Sequence, residues 1–77
     1  MRIIEDKTMK PLNSILIMLT PGEASELASK ILSIDPTIGD HVHVDDLEYA
    51  REITIAIYTD QNTHFFTKEI RDLIKAP

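Results

Sequence analysis

Five consecutive apolar residues at positions 15–19 constrain the fold of this chain more than any other feature. The β-branched and apolar content of residues 13–20 predicts a strand, and successive side chains of a strand point to opposite faces. Three of the five apolar side chains therefore face one side, while Leu16 and Met18 face the other. Two apolar faces are typical of a strand that is covered on both sides.

The chain that has to supply this cover is short. Its 77 residues predict a single domain, residues 1–77, and a chain of this size buries only about 60% of the surface that its unfolded form exposes. It contains no cysteine, which excludes disulfides and thiolate zinc sites. A metal held by histidine and carboxylate, or association with another chain, remains open as a source of stability.

The rest of the pattern predicts two helices and a hairpin. Residues 20–34 carry apolar side chains at helical spacing behind a Thr-Pro-Gly-Glu capping box. Residues 41–45 and 52–59 alternate between polar and apolar side chains, which indicates an antiparallel hairpin. Cap candidates at residues 60–63 precede a last helix, whose apolar stripe consists of Phe66, Ile70, Leu73 and Ile74.

These elements predict an α+β fold. We expect a two-layer sandwich, in which two helices cover one face of an antiparallel sheet of three to four strands. The order is strand, helix, strand, strand, helix, with residues 1–10 as an additional edge strand or a loose arm. The valine and isoleucine side chains of the hairpin face the helices. The opposite, open face of the sheet presents Leu16, Met18, His41, His43, Asp45, Thr54, Ala56 and Tyr58.

The open face predicts a contact surface. Leu16, Met18 and Tyr58 are apolar or aromatic, and a contiguous apolar patch on a small protein usually has a partner. Two helices cover only one side of a single sheet. We therefore expect the open face to bind a protein, either a second copy of the chain in a homodimer or another protein.

The charge is concentrated in one stretch. The net charge is −5, and residues 35–52 hold six acids against one base, so this stretch carries the whole imbalance. A nucleic-acid-binding protein needs a basic surface to displace counterions from phosphates, so that class is excluded. Asp45, Asp46 and Glu48 are the acids expected to meet a basic protein partner.

Location follows from the hydropathy of the chain. The apolar run at residues 15–19 is far shorter than the ~20 residues of a membrane span. The first residues turn acidic after two apolar positions, unlike a signal peptide. We expect a cytoplasmic protein that does not bind membranes.

The strand at residues 41–45 offers a metal-site hypothesis. His41, His43 and Asp45 share one face of this strand, and two imidazoles with a carboxylate can hold zinc. The string also resembles the H-x-H-x-D-H motif of metallo-β-lactamase-fold hydrolases, although Asp46 stands where that motif has its last histidine. The alternative is a polar strand face that points to water. The sequence shows no nucleophile paired with a base, so we expect neither an enzyme nor a cofactor.

A longer stretch resembles small bacterial immunity proteins of polymorphic toxin systems. Residues 19–24 read Leu-Thr-Pro-Gly-Glu-Ala before an amphipathic helix, residues 39–45 read Gly-Asp-His-Val-His-Val-Asp, and an apolar strand begins at Glu52. The resemblance covers residues 15–58. It implies a non-enzymatic protein that neutralises a toxin by covering it, with the acidic stretch against a basic toxin surface.

Overall fold

The computed structural model describes residues 1–46 and 50–76. The described part contains two helices and two separate two-stranded antiparallel sheets, so the predicted α+β class is confirmed. In chain order the elements are β1 (Ile3–Ile4), β2 (Pro11–Leu12), α1 (Pro21–Leu32), β3 (His41–Asp45), β4 (Glu52–Ala56), a 3-10 turn (Thr63–Phe65) and α2 (Lys68–Lys75).

Helix α1 begins as its sequence predicts. The Thr20 hydroxyl accepts a hydrogen bond from the Glu23 amide at 3.2 Å, and a Glu23 carboxylate oxygen accepts one from the Thr20 amide at 2.9 Å. This reciprocal pair satisfies two amides that the first helical turn leaves without partners. At the other end the Ser33 amide bonds back to the Lys30 carbonyl, which ends the helix shortly before Pro36.

The hairpin of β3 and β4 also follows the sequence. His43 lies opposite Thr54, and Val44 lies opposite Ile53. The valines and isoleucines of the hairpin are half-buried or buried, whereas both histidines and Thr54 are exposed, and Val44 is only 4% exposed. Helix α1 packs against β3. The predicted inward face of the hairpin is therefore confirmed.

A third strand at residues 13–20 is not present, and for the single chain that prediction is wrong. Residues 14–20 have no regular secondary structure, so the described residues do not form one sheet of three to four strands. A strand needs a neighbour for its amides and carbonyls as well as a suitable side-chain pattern. Helix α1 lies along β3, and Lys30 Nζ donates a hydrogen bond to the His43 carbonyl at 2.6 Å. The helix and the lysine side chain both lie beside β3, so they leave little room for a further strand next to the hairpin.

The two chain ends of the described part are joined. Helix α2 begins after Thr67, whose hydroxyl accepts a hydrogen bond from the Ile70 amide, and therefore later than the cap candidates at residues 60–63 suggested. The guanidinium of Arg2 donates hydrogen bonds to the carbonyls of Ile74 and Ala76. A cation at the last turn suits both the free carbonyls and the helix dipole. The residues before α1 thus hold the end of α2.

None of the helices in residues 1–46 and 50–76 has the length and apolar character that crossing a bilayer requires.

Candidate functional site

The apolar segment, defined as residues 15–19, lies on the surface. Leu16 and Met18 are each 85% exposed, whereas Ile15, Ile17 and Leu19 are between 36% and 49% exposed. The exposure therefore alternates from one residue to the next, which is the pattern of an extended chain resting on the protein with one side. Leu16 and Met18, both predicted as contact residues, point to solvent together.

A groove of about 240 Å³ lies beside the apolar segment. Residues 16–19 line it together with Val44 and Ile53 of the hairpin. Its charged residues are Glu23, Asp45, Asp46, Arg51 and Glu52. Four carboxylates thus accompany one guanidinium, so the groove combines apolar walls with a negative potential.

Two of the three acids predicted to bind a partner can be placed. Asp46 closes the hairpin, because its carboxylate accepts hydrogen bonds from the Ala50 amide at 2.8 Å and from the Arg51 guanidinium at 3.1 Å. These bonds, led by that of the Ala50 amide, lower the pKa of Asp46. Asp45 borders the groove next to it. Glu48, the third predicted acid, lies outside the described residues.

Tyr58 stands apart from the apolar segment. It follows the end of β4, it is 39% exposed, and its hydroxyl accepts a hydrogen bond from the amino group of Met1 at 3.4 Å. Unlike Leu16 and Met18, Tyr58 does not line the groove. The structure therefore brings the two aliphatic contact residues together and places the aromatic one beside the first residue of the chain.

The two strand histidines form a polar cluster with residues of β4. The rings of His41 and His43 meet edge to face with centroids 4.8 Å apart. His43 Nδ1 lies 2.6 Å from Glu52 Oε1 and 2.9 Å from Thr54 Oγ1. Both contacts fall on the same ring nitrogen, so the cluster lacks the relay in which one nitrogen accepts a nucleophile's proton while a carboxylate holds the other.

The metal-site hypothesis gains no support from this geometry. Across residues 1–46 and 50–76, no group of three or more histidine, cysteine, aspartate or glutamate side chains is arranged to hold a metal ion. His43 turns towards Glu52 on the neighbouring strand. The proposed set of His41, His43 and Asp45 stays a prediction that a metal titration has to test.

Sequence reasoning missed Glu52 as the partner of His43. In the hairpin register His43 lies opposite Thr54, so Glu52 is its diagonal neighbour two residues along, a distance that long side chains can bridge. The sequence does contain the information needed to predict this contact. Pairing Val42 and Val44 with the isoleucines of β4 fixes the hairpin register, and that register places Glu52 diagonally opposite His43.

The cluster around Glu52 predicts a loss of stability in acid. The Thr54 hydroxyl, and after it His43, hold the pKa of Glu52 below its ordinary value. A carboxylate with a lowered folded-state pKa contributes stability above its unfolded pKa, and this contribution is lost as the pH falls through the folded value. We expect the urea midpoint to fall as the pH is lowered below the ordinary glutamate pKa of about 4, and to fall less for Glu52→Gln. Asp6→Asn, an exposed turn residue, is the control and should titrate like the wild type. If the urea midpoint depended on pH equally in all three proteins, Glu52 would not be the source of the acid sensitivity.

Comparison with known proteins gives no match. No protein-family model matches the chain, and no curated protein or solved structure matches it either.

Proposed function

We propose that this chain is a non-enzymatic protein-interaction domain, whose contact surface is the apolar segment and the groove beside it. The observation that carries the proposal is the 85% exposure of both Leu16 and Met18, although few apolar side chains are buried among residues 1–46 and 50–76. Exposed apolar side chains that are contiguous mark interaction sites more often than isolated ones do. Methionine in particular suits surfaces that adapt to a partner.

The charge of the groove supports a basic partner. Asp45 and Glu52 border the apolar walls, and complementary charge speeds the encounter of two proteins and disfavours partners of the wrong sign. A toxin-neutralising immunity protein is the specific form of this proposal, in which the groove and the acidic stretch meet a basic toxin surface.

We further propose that residues 13–20 become the missing strand when a partner is bound. Their side-chain pattern favours a strand, and the chain itself supplies no neighbour for it among the described residues. A three-stranded arrangement would then be a property of the complex. Addition of a strand to an exposed edge is a common way for proteins to recognise extended segments.

Capture from a lysate of the encoding organism tests the proposal. The chain is immobilised at low density, so that each molecule meets the lysate alone, and retained proteins are identified by mass spectrometry. We expect a protein that wild type retains and that the double variant Leu16→Asp, Met18→Asp retains at least about tenfold less, because two charges would replace the apolar contact.

The matched control is Leu32→Asp. Leu32 is 88% exposed at the end of α1, outside the apolar segment, so its replacement changes the same chemistry at another place. Exposed substitutions of this kind change the free energy of unfolding by about 0.5 kcal/mol or less, which thermal unfolding of each variant verifies. Equal retention by all three proteins would show that the apolar segment is not the contact surface.

A further inference from the structure

The backbone of residues 13–19 has no hydrogen-bond partner in the described part of the chain. No amide or carbonyl of these seven residues takes part in a backbone or side-chain hydrogen bond with residues 1–46 or 50–76. On either side the bonding resumes, with the β1–β2 pair before the stretch and the Thr20–Glu23 capping box after it. Such a row of free donors and acceptors is a template for pairing with another strand.

The side chains of this stretch suit strand pairing as well. The alternating exposure of the apolar segment is the pattern that an extended backbone produces. Residues 11–20 contain no charged side chain, although charges are what natural edge strands commonly use to prevent pairing with another chain. The stretch also lies between Pro11 and Pro21, and a proline has no amide to donate to a ladder. The length between these prolines corresponds to an ordinary strand.

We propose that two copies of this chain pair through residues 14–20 as antiparallel strands, related by a two-fold axis at Ile17. The inference rests on the proposed function, because it names the partner of the same apolar segment. In this register Leu16 of one copy lies opposite Met18 of the other, so the two most exposed side chains of the segment cover each other. A two-fold contact of this kind is isologous, because the same surface of each copy meets itself.

The charges that flank the stretch favour the antiparallel direction. The nearest charged residue before it is Lys10, and the nearest one after it is Glu23. Both lie at similar distances along the chain from Ile17. Antiparallel pairing brings the lysine end of one copy to the glutamate end of the other, whereas parallel pairing in register would set like charges side by side. A second copy therefore matches both the apolar and the charged parts of this stretch.

Single cysteines test the register, because the natural chain has none. Leu16→Cys and Met18→Cys are mixed in equal amounts in a glutathione buffer and analysed by intact mass spectrometry. Opposite residues of an antiparallel pair have Cβ atoms about 5 Å apart, close enough for a disulfide, whereas the same residue in the two copies lies on a diagonal that is too long. We expect the mixed disulfide to exceed either homodimer by about tenfold.

Two further measurements complete the test. Ser29→Cys lies on the exposed side of α1 and should show no preference between mixed and homodimeric disulfides with either segment variant. Sedimentation of the wild type at several hundred micromolar should give twice the chain mass of 8.8 kDa, and Met18→Asp should sediment as a monomer. Preferential homodimers of Leu16→Cys would indicate parallel pairing and overturn the proposal.

A wild-type monomer at these concentrations would also overturn self-pairing, without affecting the proposed function. The capture experiment uses isolated immobilised chains, so a partner that depends on Leu16 and Met18 would still be found there. If the wild type is a monomer and does capture such a partner, that protein rather than a second copy would pair with residues 14–20. A monomer that captures nothing would reject both proposals.

Discussion

Asn62→Ala is expected to lower the free energy of unfolding by about 3 kcal/mol, a large effect for a single side-chain truncation. Asn62 is 2% exposed and lies in the turn between β4 and α2. Its amide nitrogen donates to the carbonyls of Pro36 at 2.6 Å and Ile57 at 2.9 Å, and its side-chain oxygen accepts from the Thr59 amide at 2.7 Å. Truncation would leave three backbone groups without partners.

The size of the effect follows from what these bonds join. Pro36 belongs to the turn after α1, and Ile57 follows β4, so one side chain ties two loops that are far apart in sequence. Each buried polar group that loses its partner costs about 1 kcal/mol or more. A domain of this size has on the order of 5 kcal/mol of stability in total. With a urea slope of about 1 kcal/mol per molar, the midpoint should fall by about 3 M.

Two variants accompany this experiment. Asn13→Ala is the matched control, because Asn13 is exposed and its side chain makes no hydrogen bond within residues 1–46 and 50–76, and its urea midpoint should stay close to that of the wild type. Asn62→Asp keeps the acceptor for Thr59 but sets a carboxylate against two carbonyl oxygens, so it should be at least as unstable as Asn62→Ala. A midpoint for Asn62→Ala within 0.5 M of the wild type, about the effect of a surface substitution, would contradict the role assigned to Asn62.

The buried hydrogen-bonding role of Asn62 could not be predicted from the sequence, for a physical reason. It stands in a run of four polar residues at positions 60–63, three of which are of types that can cap a helix. Which side chain turns inward depends on carbonyls that the fold brings from residues 36 and 57. Capping preferences act within one turn of the chain, so they can predict the Thr20 capping box but not a bond that spans 26 residues.

The elements that the sequence predicted well are those with local or periodic causes. The hairpin register follows from alternation on both strands, since Val42 and Val44 can share a face with Ile53 and Ile55 in few other ways. Residues 13–20 were predicted as a strand from their β-branched and apolar content, yet the structure leaves them unpaired. Side-chain pattern indicates that a segment can be a strand, whereas pairing depends on which edge is free.

For the contact surface, too, local side-chain pattern predicted some features while the overall topology decided others. Leu16 and Met18 were predicted from the two apolar faces of their segment, and both are exposed together. Tyr58 was grouped with them because the sequence implied one continuous sheet, and without that sheet it lies elsewhere. Predictions about a residue's own exposure thus depended on local pattern, while predictions about which residues meet depended on topology.

Gly39→Ala is expected to be nearly as damaging as the loss of Asn62, for reasons of backbone and space together. Gly39 has a φ of +67° in the turn between α1 and β3, a conformation that costs a side-chain-bearing residue about 1 kcal/mol. An added Cβ would lie 2.7 Å from the Phe65 Cγ atom and closer still to its Cβ. Displacement of Phe65 should cost a further ~2 kcal/mol, so the urea midpoint should fall by about 3 M.

The chain contains a matched control for this substitution in its other glycine. Gly22 lies in the first turn of α1, where an added Cβ would meet nothing within 4 Å, and Gly22→Ala should leave stability unchanged or raise it by up to about 1 kcal/mol. Phe65→Gly separates the two causes in the Gly39→Ala variant. It removes both the ring and the Cβ that the added atom would meet, but not the backbone strain, so the double variant should lose less stability than the two single losses combined. Two results would contradict this account. Stability losses that add strictly in the double variant would mean that residue 65 does not restrict the turn. A Gly39→Ala variant as stable as Gly22→Ala would mean that the turn accepts a side chain without strain.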